Sequence, residues 1–322
     1  MSRKNKWIAA DSPEQPAVEV AAAALKNRLS AMWRCLPLAA EHADDDVEYV
    51  HQLRVSSRRA MIAVETFACF MPERQAQWFQ KKVRKVRRAA GAARDLDVLA
   101  VRLHDRFGDD ASPGVQELLA CVAMHRREAQ PAIRKIYRRL RERDFRRRSR
   151  KLLAKLAPRD PEIECEPDFL TVARRGMRKV ADAFFDAAQG NLADVAQLHL
   201  FRIAGKELRY ALEIFAAAFG PELVEQVYPQ IVELQERIGA VNDHAAACAE
   251  MTTWSDRLQS SEAQSLLRQL IAEETHARDQ ALAAFPQFWT PDRKQRLRHQ
   301  LQRELGDVTL TFERGQRLEA RG

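Results

Sequence analysis

Histidine, arginine and lysine recur at helical spacing in two places along this chain of 322 residues. His51, Arg54 and Arg58 are spaced i, i+3, i+7, and so are His199, Arg202 and Lys206. Side chains at such spacing line one side of an α-helix. A row of guanidinium and ammonium groups suits an anion with several phosphate-like groups, because arginine forks match pairs of phosphate oxygens. Imidazole adds charge to such a row when it is protonated near physiological pH. Catalytic machinery is not legible in the chain. It has no Walker loop, no clustered carboxylates for Mg²⁺ and no Ser or Cys nucleophile paired with a base. No cofactor or metal is expected, and His42, His104, His125, His244, His276 and His299 are scattered without metal-ligand spacing.

The helices that carry these rows have a second, apolar side. On a wheel of about 100° per residue, Leu53, Ala60, Val64, Phe67 and Met71 fall in one narrow arc. Phe201, Leu208, Leu212, Phe215 and Phe219 fall at the same angles on the other helix, giving each an amphipathic core stripe. Val55 and Ile62, matched by Ile203 and Tyr210, share the basic arc. Apolar residues there imply that the basic side faces a groove between bundles. Acids on the same helices are too few to pair with the cations. Cations crowded in a partly desolvated groove repel one another, and a bound polyanion removes that cost.

The two rows belong to a longer self-similarity with an offset of 148 residues. Arg58 falls on Lys206, Ala63 on Ala211, Glu65 on Glu213 and Phe67 on Phe215. Farther on, Gly91 falls on Gly239, Ala92 on Ala240 and Asp95 on Asp243. Gly91 and Gly239 are expected as helix stops and the two aspartates as N-caps. The helix before Gly91 places Lys81, Arg84, Lys85 and Arg88 on one arc, where the second copy has Pro229, Val232, Glu233 and Glu236. The first half is therefore expected to contribute more to anion binding.

Composition agrees with an all-helical chain. Glycine is scarce at 11, hydrophobic residues make up 46% and charged residues 30%, and the formal net charge is +8. The positive charge is concentrated: residues 126–155 hold 14 Arg or Lys and three acids. Five widely spaced cysteines (Cys35, Cys69, Cys121, Cys165, Cys248) form no CxxC pair and read as reduced core thiols, with Cys69 and Cys248 in apolar helical contexts. No apolar run suggests a signal peptide or a membrane span, so the expectation is a soluble cytoplasmic protein without a membrane partner. Periodicity predicts helices over 17–40, 46–71, 74–91, 95–107, 113–130, 131–157, 168–189, 194–219, 221–239, 243–258, 261–284 and 291–304, with Pro131 breaking or kinking a longer one. Residues 1–16 read as a flexible leader, the proline-rich stretch 158–167 as a linker, and 305–322 as a tail. The body spans 17–304, with one repeat over 17–157 and the other over 165–304.

The segments His51-Gln-Leu-Arg-Val-Ser-Ser-Arg-Arg, Ala93-Arg-Asp-Leu-Asp-Val, His199-Leu-Phe-Arg-Ile-Ala-Gly-Lys-Glu-Leu-Arg-Tyr and Leu234-Gln-Glu-Arg-Ile-Gly-Ala-Val-Asn-Asp resemble the CHAD family, the conserved histidine α-helical domain. The resemblance covers about residues 17–304. It implies an all-α fold of two four-helix-bundle-like halves, related by an internal duplication with a pseudo-twofold. It further implies a basic central groove or pore that binds inorganic polyphosphate, and an association with polyphosphate granules. The family's basic pore positions match His51, Arg54, Arg58, Arg59, Arg88, His199, Arg202, Lys206 and Arg209, with Lys81 and Lys85 added by the wheel. Ala60, Met61 and Glu207 depart from the family pattern, and the last stands where a basic residue is usual. Glu162-Ile-Glu-Cys-Glu-Pro is the only local echo of the triphosphate-hydrolase domain often fused to this family, and it lacks that enzyme's lysine. A stand-alone, non-enzymatic polyphosphate binder is the expectation. Its competitors are a nucleic-acid binder using residues 126–155 and, last, a phosphoanhydride hydrolase. The histidines predict stronger binding as pH falls toward about 6, and counterion competition predicts weaker binding as salt rises.

Overall fold

The computed structural model describes residues 6–108, 110, 112–157 and 167–306. Ten α-helices account for the body: α1 Ala17–Glu41, α2 Glu48–Thr66, α3 Glu73–Phe107, α4 Pro113–Glu142, α5 Phe145–Leu153, α6 Phe169–Ala187, α7 Val195–Phe215, α8 Tyr228–Thr252, α9 Ser261–Phe288 and α10 Pro291–Leu305. One turn of π-helix, Leu223–Val227, leads into α8. No strand occurs among the described residues, and none of the helices is long and apolar enough to cross a membrane. The fold is all-α, as the periodicity predicts.

Consecutive helices pack as antiparallel neighbours, α1 through α4 in the first half and α6 through α9 in the second. Cross-contacts join α1 to α6, α2 to α7, α3 to α8 and α4 to α9. Each contact links helices at the same place in the order of the two halves. The buried core does not divide at the boundary between them. A main core draws on Leu29, Leu53, Val64 and Phe79 from the first half and on Phe169, Phe201, Leu212 and Ile231 from the second. A smaller core at the far ends of the long helices also takes from both: Leu99 and Leu103 of α3, Leu118 and Val122 of α4, Met251 of α8, Leu267 of α9, and Trp254. At this end α4 and α9 begin side by side. Glu262 accepts from the Gly114 backbone N–H at 3.1 Å, and Glu117 accepts from the Ser260 N–H at 3.1 Å. Each carboxylate serves the other helix's N-terminal turn, where unsatisfied N–H groups favour negative charge.

Four expectations from the sequence differ from the structure. Gly91 and Gly239 do not stop helices; α3 and α8 run straight through them. A helix-interior glycine costs about 1 kcal/mol but ends nothing unless the chain turns left-handed there. Pro131 likewise does not break the helix, since α4 runs through it. Its ring is on the exposed face, and α4 is pinned to the end of α1 on either side of it. Gln130 Nε2 donates to the Ala39 carbonyl at 2.8 Å and Arg134 Nε to the Ala40 carbonyl at 3.1 Å. The break falls instead at Asp144, in the left-handed region at φ 49°, whose carboxylate caps α5 by accepting from the Arg147 N–H at 3.2 Å. Residues 6–16 are not a free leader: Ile8 is buried, its N–H donates to the Glu213 carbonyl at 2.9 Å, and Trp7 packs edge-on against Tyr228 at 4.8 Å. Cys69 is exposed, whereas Cys35 and Cys121 are buried. Cys165, nearly all of the 158–167 stretch and residues 307–322 of the tail lie outside the described residues.

Trp254 has no exposed surface and is the largest side chain in the smaller core. Trp254→Ala should therefore lower stability by about 3–5 kcal/mol, read as a shift in the urea unfolding midpoint.

Candidate functional site

The two amphipathic helices identified from sequence, α2 and α7, pack against one another across the halves of the chain. Their apolar stripes enter the core as expected: Leu53, Ala60, Val64, Phe67, Phe201, Leu208, Leu212 and Phe215 are all buried. This orientation turns the basic rows toward the line of contact between the helices. The result is one cluster, not two separate faces. The field at Arg202 comes from Arg58 and Arg54 as well as from Asp243, and Lys206 feels Arg58, Arg202 and Arg54.

Lys206 carries the clearest mark of this crowding. Burial first, then Arg58, Arg202 and Arg54, pull its ammonium down to about 6, with only Asp243 acting in the other direction. Burial and the same arginines lower Arg202 as well. His51 is held below its ordinary value, first by burial and then by Arg94, Arg54 and Arg58, against an opposing Glu48. Each group would be easier to charge if an anion lay among them.

Carboxylates reach only the margin of the cluster. Arg54 Nη1 donates to Asp95 Oδ1 at 2.7 Å and to the Gly91 carbonyl at 2.9 Å. Arg202 Nη2 donates to Asp243 Oδ1 at 3.3 Å. Both pairs span 41 residues, so the same contact is made at matched positions in the two halves. Asp95 and Asp243 are thus mid-helix ion-pair partners of the basic rows, supplied by neighbouring helices, where the sequence suggested N-caps. The signal was present as a shared Arg-to-Asp interval, but only the packing of α2 on α3 and α7 on α8 turns it into a contact. The aspartates are largely exposed, at 53% and 71%. They hold the arginines in place without neutralising the interior. Arg58, Arg87 and Lys206 form no ion pair among the described residues; Arg58 reaches the Tyr210 hydroxyl at 3.5 Å. The Arg202 Nε is buried without a hydrogen-bond partner.

The remaining predicted residues fall in three places. His199 is exposed at the start of α7, and its Nδ1 lies 2.6 Å from Asn242 Oδ1. Arg59 and Arg209 belong to a buried network beneath the cluster. Arg59 makes a two-pronged pair with Glu213 at 2.8 and 3.2 Å, Tyr228 donates to the same carboxylate at 3.0 Å, and Arg209 donates to the Tyr210 hydroxyl at 2.8 Å. Lys81 and Lys85 lie on the far flank of α3, lining a cavity against α4, and Arg88 is exposed between the two flanks. Conversely, Arg87 and Arg94 face the cluster though the sequence did not single them out. Arg87 is lowered by burial and by Arg58, Arg84 and Arg54, against Glu65. Arg87 lies about 60° from Arg84 on the wheel, on the side away from Lys81 and Lys85, and periodicity alone could not say which flank of α3 meets α2.

Comparison with known proteins identifies the family and the fold. The CHAD domain family model matches residues 23–252. Among solved structures, a CHAD domain from the plant Ricinus communis is similar over 92% of this chain and 95% of its own, at 24% identity and a TM-score of 0.61. PptA from Streptomyces chartreusis is similar over 85% of this chain and 99% of its own, at 19% identity and a TM-score of 0.62. At these identities the two structures speak to the fold. No curated protein matches the chain.

The Arg59–Glu213 pair gives a stability prediction separable from binding. Glu213 is 2% exposed and Arg59 17%. Glu213→Gln strands a buried guanidinium and should cost about 3–5 kcal/mol in urea denaturation, where a surface pair would cost under about 1 kcal/mol.

Proposed function

Because the chain belongs to the CHAD domain family, we propose that it binds inorganic polyphosphate in the cationic groove between α2 and α7, without chemical turnover of the ligand. The observation that carries this reading is the concentration of Arg54, Arg58, Arg87, Arg202 and Lys206 at one helix contact, with carboxylates only at its edge. Like charges held this close raise the energy of the empty protein. A chain of phosphates offers several negative charges at once and matches the arginine forks. A single carboxylate or phosphate would leave most of the repulsion in place. His51, with Arg94 beside it, extends the row at one end of α2, and His199 does so on α7. A place on polyphosphate granules would follow from such binding.

The residues divide into roles. Arg58 and Lys206, which form no ion pair among the described residues, serve as direct phosphate ligands. Arg54 and Arg202 are ligands held in aim by Asp95 and Asp243. Arg59 and Arg209 hold the interface together from beneath. A nucleic-acid partner would have to engage the exposed cations of α4 and α5 instead, so competition between duplex RNA and polyphosphate at equal phosphate concentration separates the two ligands.

Titration of the full chain with long-chain polyphosphate at low salt should give saturable binding. Arg58→Ala and Arg202→Ala should each weaken it at least about tenfold, the scale of a lost charge-assisted contact. With about four cations contacting phosphates, affinity should fall on the order of a hundredfold between about 50 and 200 mM salt, if the scaling known for nucleic acids applies. Variants that bind as tightly as the native chain would remove the groove from consideration.

Proton linkage gives a second test. Lys206 titrates near 6 in the empty protein and His51 below its ordinary value. A bound polyanion favours the charged form of both, so each takes up a proton on binding. Affinity should then decline as pH rises above about 6, by at most about tenfold per pH unit for each proton taken up. Lys206→Met should flatten that decline, read as affinity at pH 6 against pH 8. A pH-independent affinity in the native chain would contradict the assignment of Lys206 as a ligand.

A further inference from the structure

Helix α3 carries a second cationic site that the α2–α7 groove does not use. Residues 81–88 read Lys-Lys-Val-Arg-Lys-Val-Arg-Arg, and the two valines alone point into the core. The six cations consequently wrap the outer surface of the helix. Arg87 faces the groove, Arg84 and Arg88 come next around the wheel, and Lys81, Lys85 and Lys82 continue to the opposite flank. That flank opens into a cavity of about 560 Å³ against α4, lined by Lys81, Lys82 and Lys85 with Arg139 and Arg143. Glu142 is the one carboxylate in the lining. Lys82 is lowered by burial and by Arg143, Lys85, Lys81 and Arg139, so these groups converge on one space.

The floor of this cavity argues against a ligand that needs a stacking surface. Trp78 lines it, but its ring is already engaged. Arg148 lies 5.1 Å from its centroid, Lys82 lies 5.8 Å away, and Phe79 meets it edge-on at 4.8 Å. The indole organises cations; it does not offer a free face to a base. What the cavity presents is five cations against one carboxylate, and its chemistry suits a chain of phosphates without bases.

Resting on the polyphosphate reading above, we propose that a long polyphosphate bound between α2 and α7 continues around α3, past Arg84 and Arg88, into the α3–α4 cavity, so that the protein selects for ligand length. The path along α3 covers eight residues, about 10 Å of helix axis at about 1.5 Å per residue, and all of the cations bordering it except Lys82 are exposed. An oligophosphate too short to pass around α3 occupies the groove only. A long chain engages both sites as one ligand, and the second contact gains from the effective concentration that the first creates.

The test compares triphosphate with polyphosphate of several hundred units on the full chain. The variant is Lys81→Ala combined with Lys85→Ala and Arg143→Ala, all exposed positions. Long-chain affinity should fall at least about tenfold and its salt dependence should become shallower, with triphosphate affinity unchanged within about twofold. Arg58→Ala should weaken both ligands. Equal loss for both ligands in the triple variant, or no loss for either, overturns the proposal. If the triple variant loses long-chain binding while Arg58→Ala changes nothing, the groove reading fails and the bridging path fails with it. In that case the α3–α4 cavity stands as an isolated site.

Discussion

Everything proposed for this molecule depends on α2 and α7 being held face to face against the repulsion of their own cations. The two helices come from opposite halves of the chain, and each brings an arginine and a second cation to the contact line. Left alone, such a contact would open. What closes it lies underneath. Phe67 of the first half meets Phe215 of the second at 6.2 Å, both without appreciable exposure, and Arg59 of α2 is locked to Glu213 of α7. Each buried aromatic contributes roughly 1.5–3 kcal/mol of transfer free energy. This is the same order as the cost of holding like charges close at a partly hydrated surface. The apolar stripes are therefore what make the cationic groove affordable, and stripe and row lie on opposite arcs of the same two helices.

That coupling explains why so much was legible before any coordinates. A helix that must bury one arc fixes the direction of the other, so Leu53 and Phe201 determine where Arg54 and Arg202 point. The mid-helix features were harder. Gly91 and Asp95 carry the local chemistry of a helix end followed by a helix start, yet α3 passes through both because the aspartate's oxygen is taken by Arg54 from a neighbouring helix. Local capping preference lost to a tertiary ion pair. The division of α3 into two cationic flanks was likewise invisible. Lys81, Lys85 and Arg88 share an arc with Arg84, and only the packing partners on either side separate the residues facing α2 from those facing α4. Ile8 was missed for a different reason: a short apolar segment before the first helix has no periodicity, and its fit against Glu213 and Tyr228 is purely tertiary.

Arginine and lysine also differ in what they contribute to the groove. Lys206 is a compact ammonium that desolvation and neighbours can switch off near neutrality, whereas a guanidinium in a protein does not give up its proton. A groove built only of arginines would carry its full repulsion at every pH. One lysine whose ammonium is drawn down to about 6 by burial and its arginine neighbours lowers that burden near neutrality.

The matched positions of the two halves do not carry matched charge, and the difference lies at the interface itself. Arg59 stands 148 residues before Glu207, and Glu65 stands the same distance before Glu213. On one side of the contact this gives a buried cation against a buried anion, Arg59 with Glu213. On the other side, the corresponding combination is Glu207 with Glu65. There burial raises the Glu65 carboxyl, Arg84 opposes that rise, and Glu207 adds to it. Attraction closes the first side. The second stays open as a cavity of about 560 Å³, where both glutamates are joined by Arg175 and Lys179 of α6 above Phe70 and Phe215. A basic residue at 207 would have paired with Glu65 as Arg59 pairs with Glu213, and would have added a cation beside the groove. With glutamate there, the interface is tied by one buried ion pair instead of two.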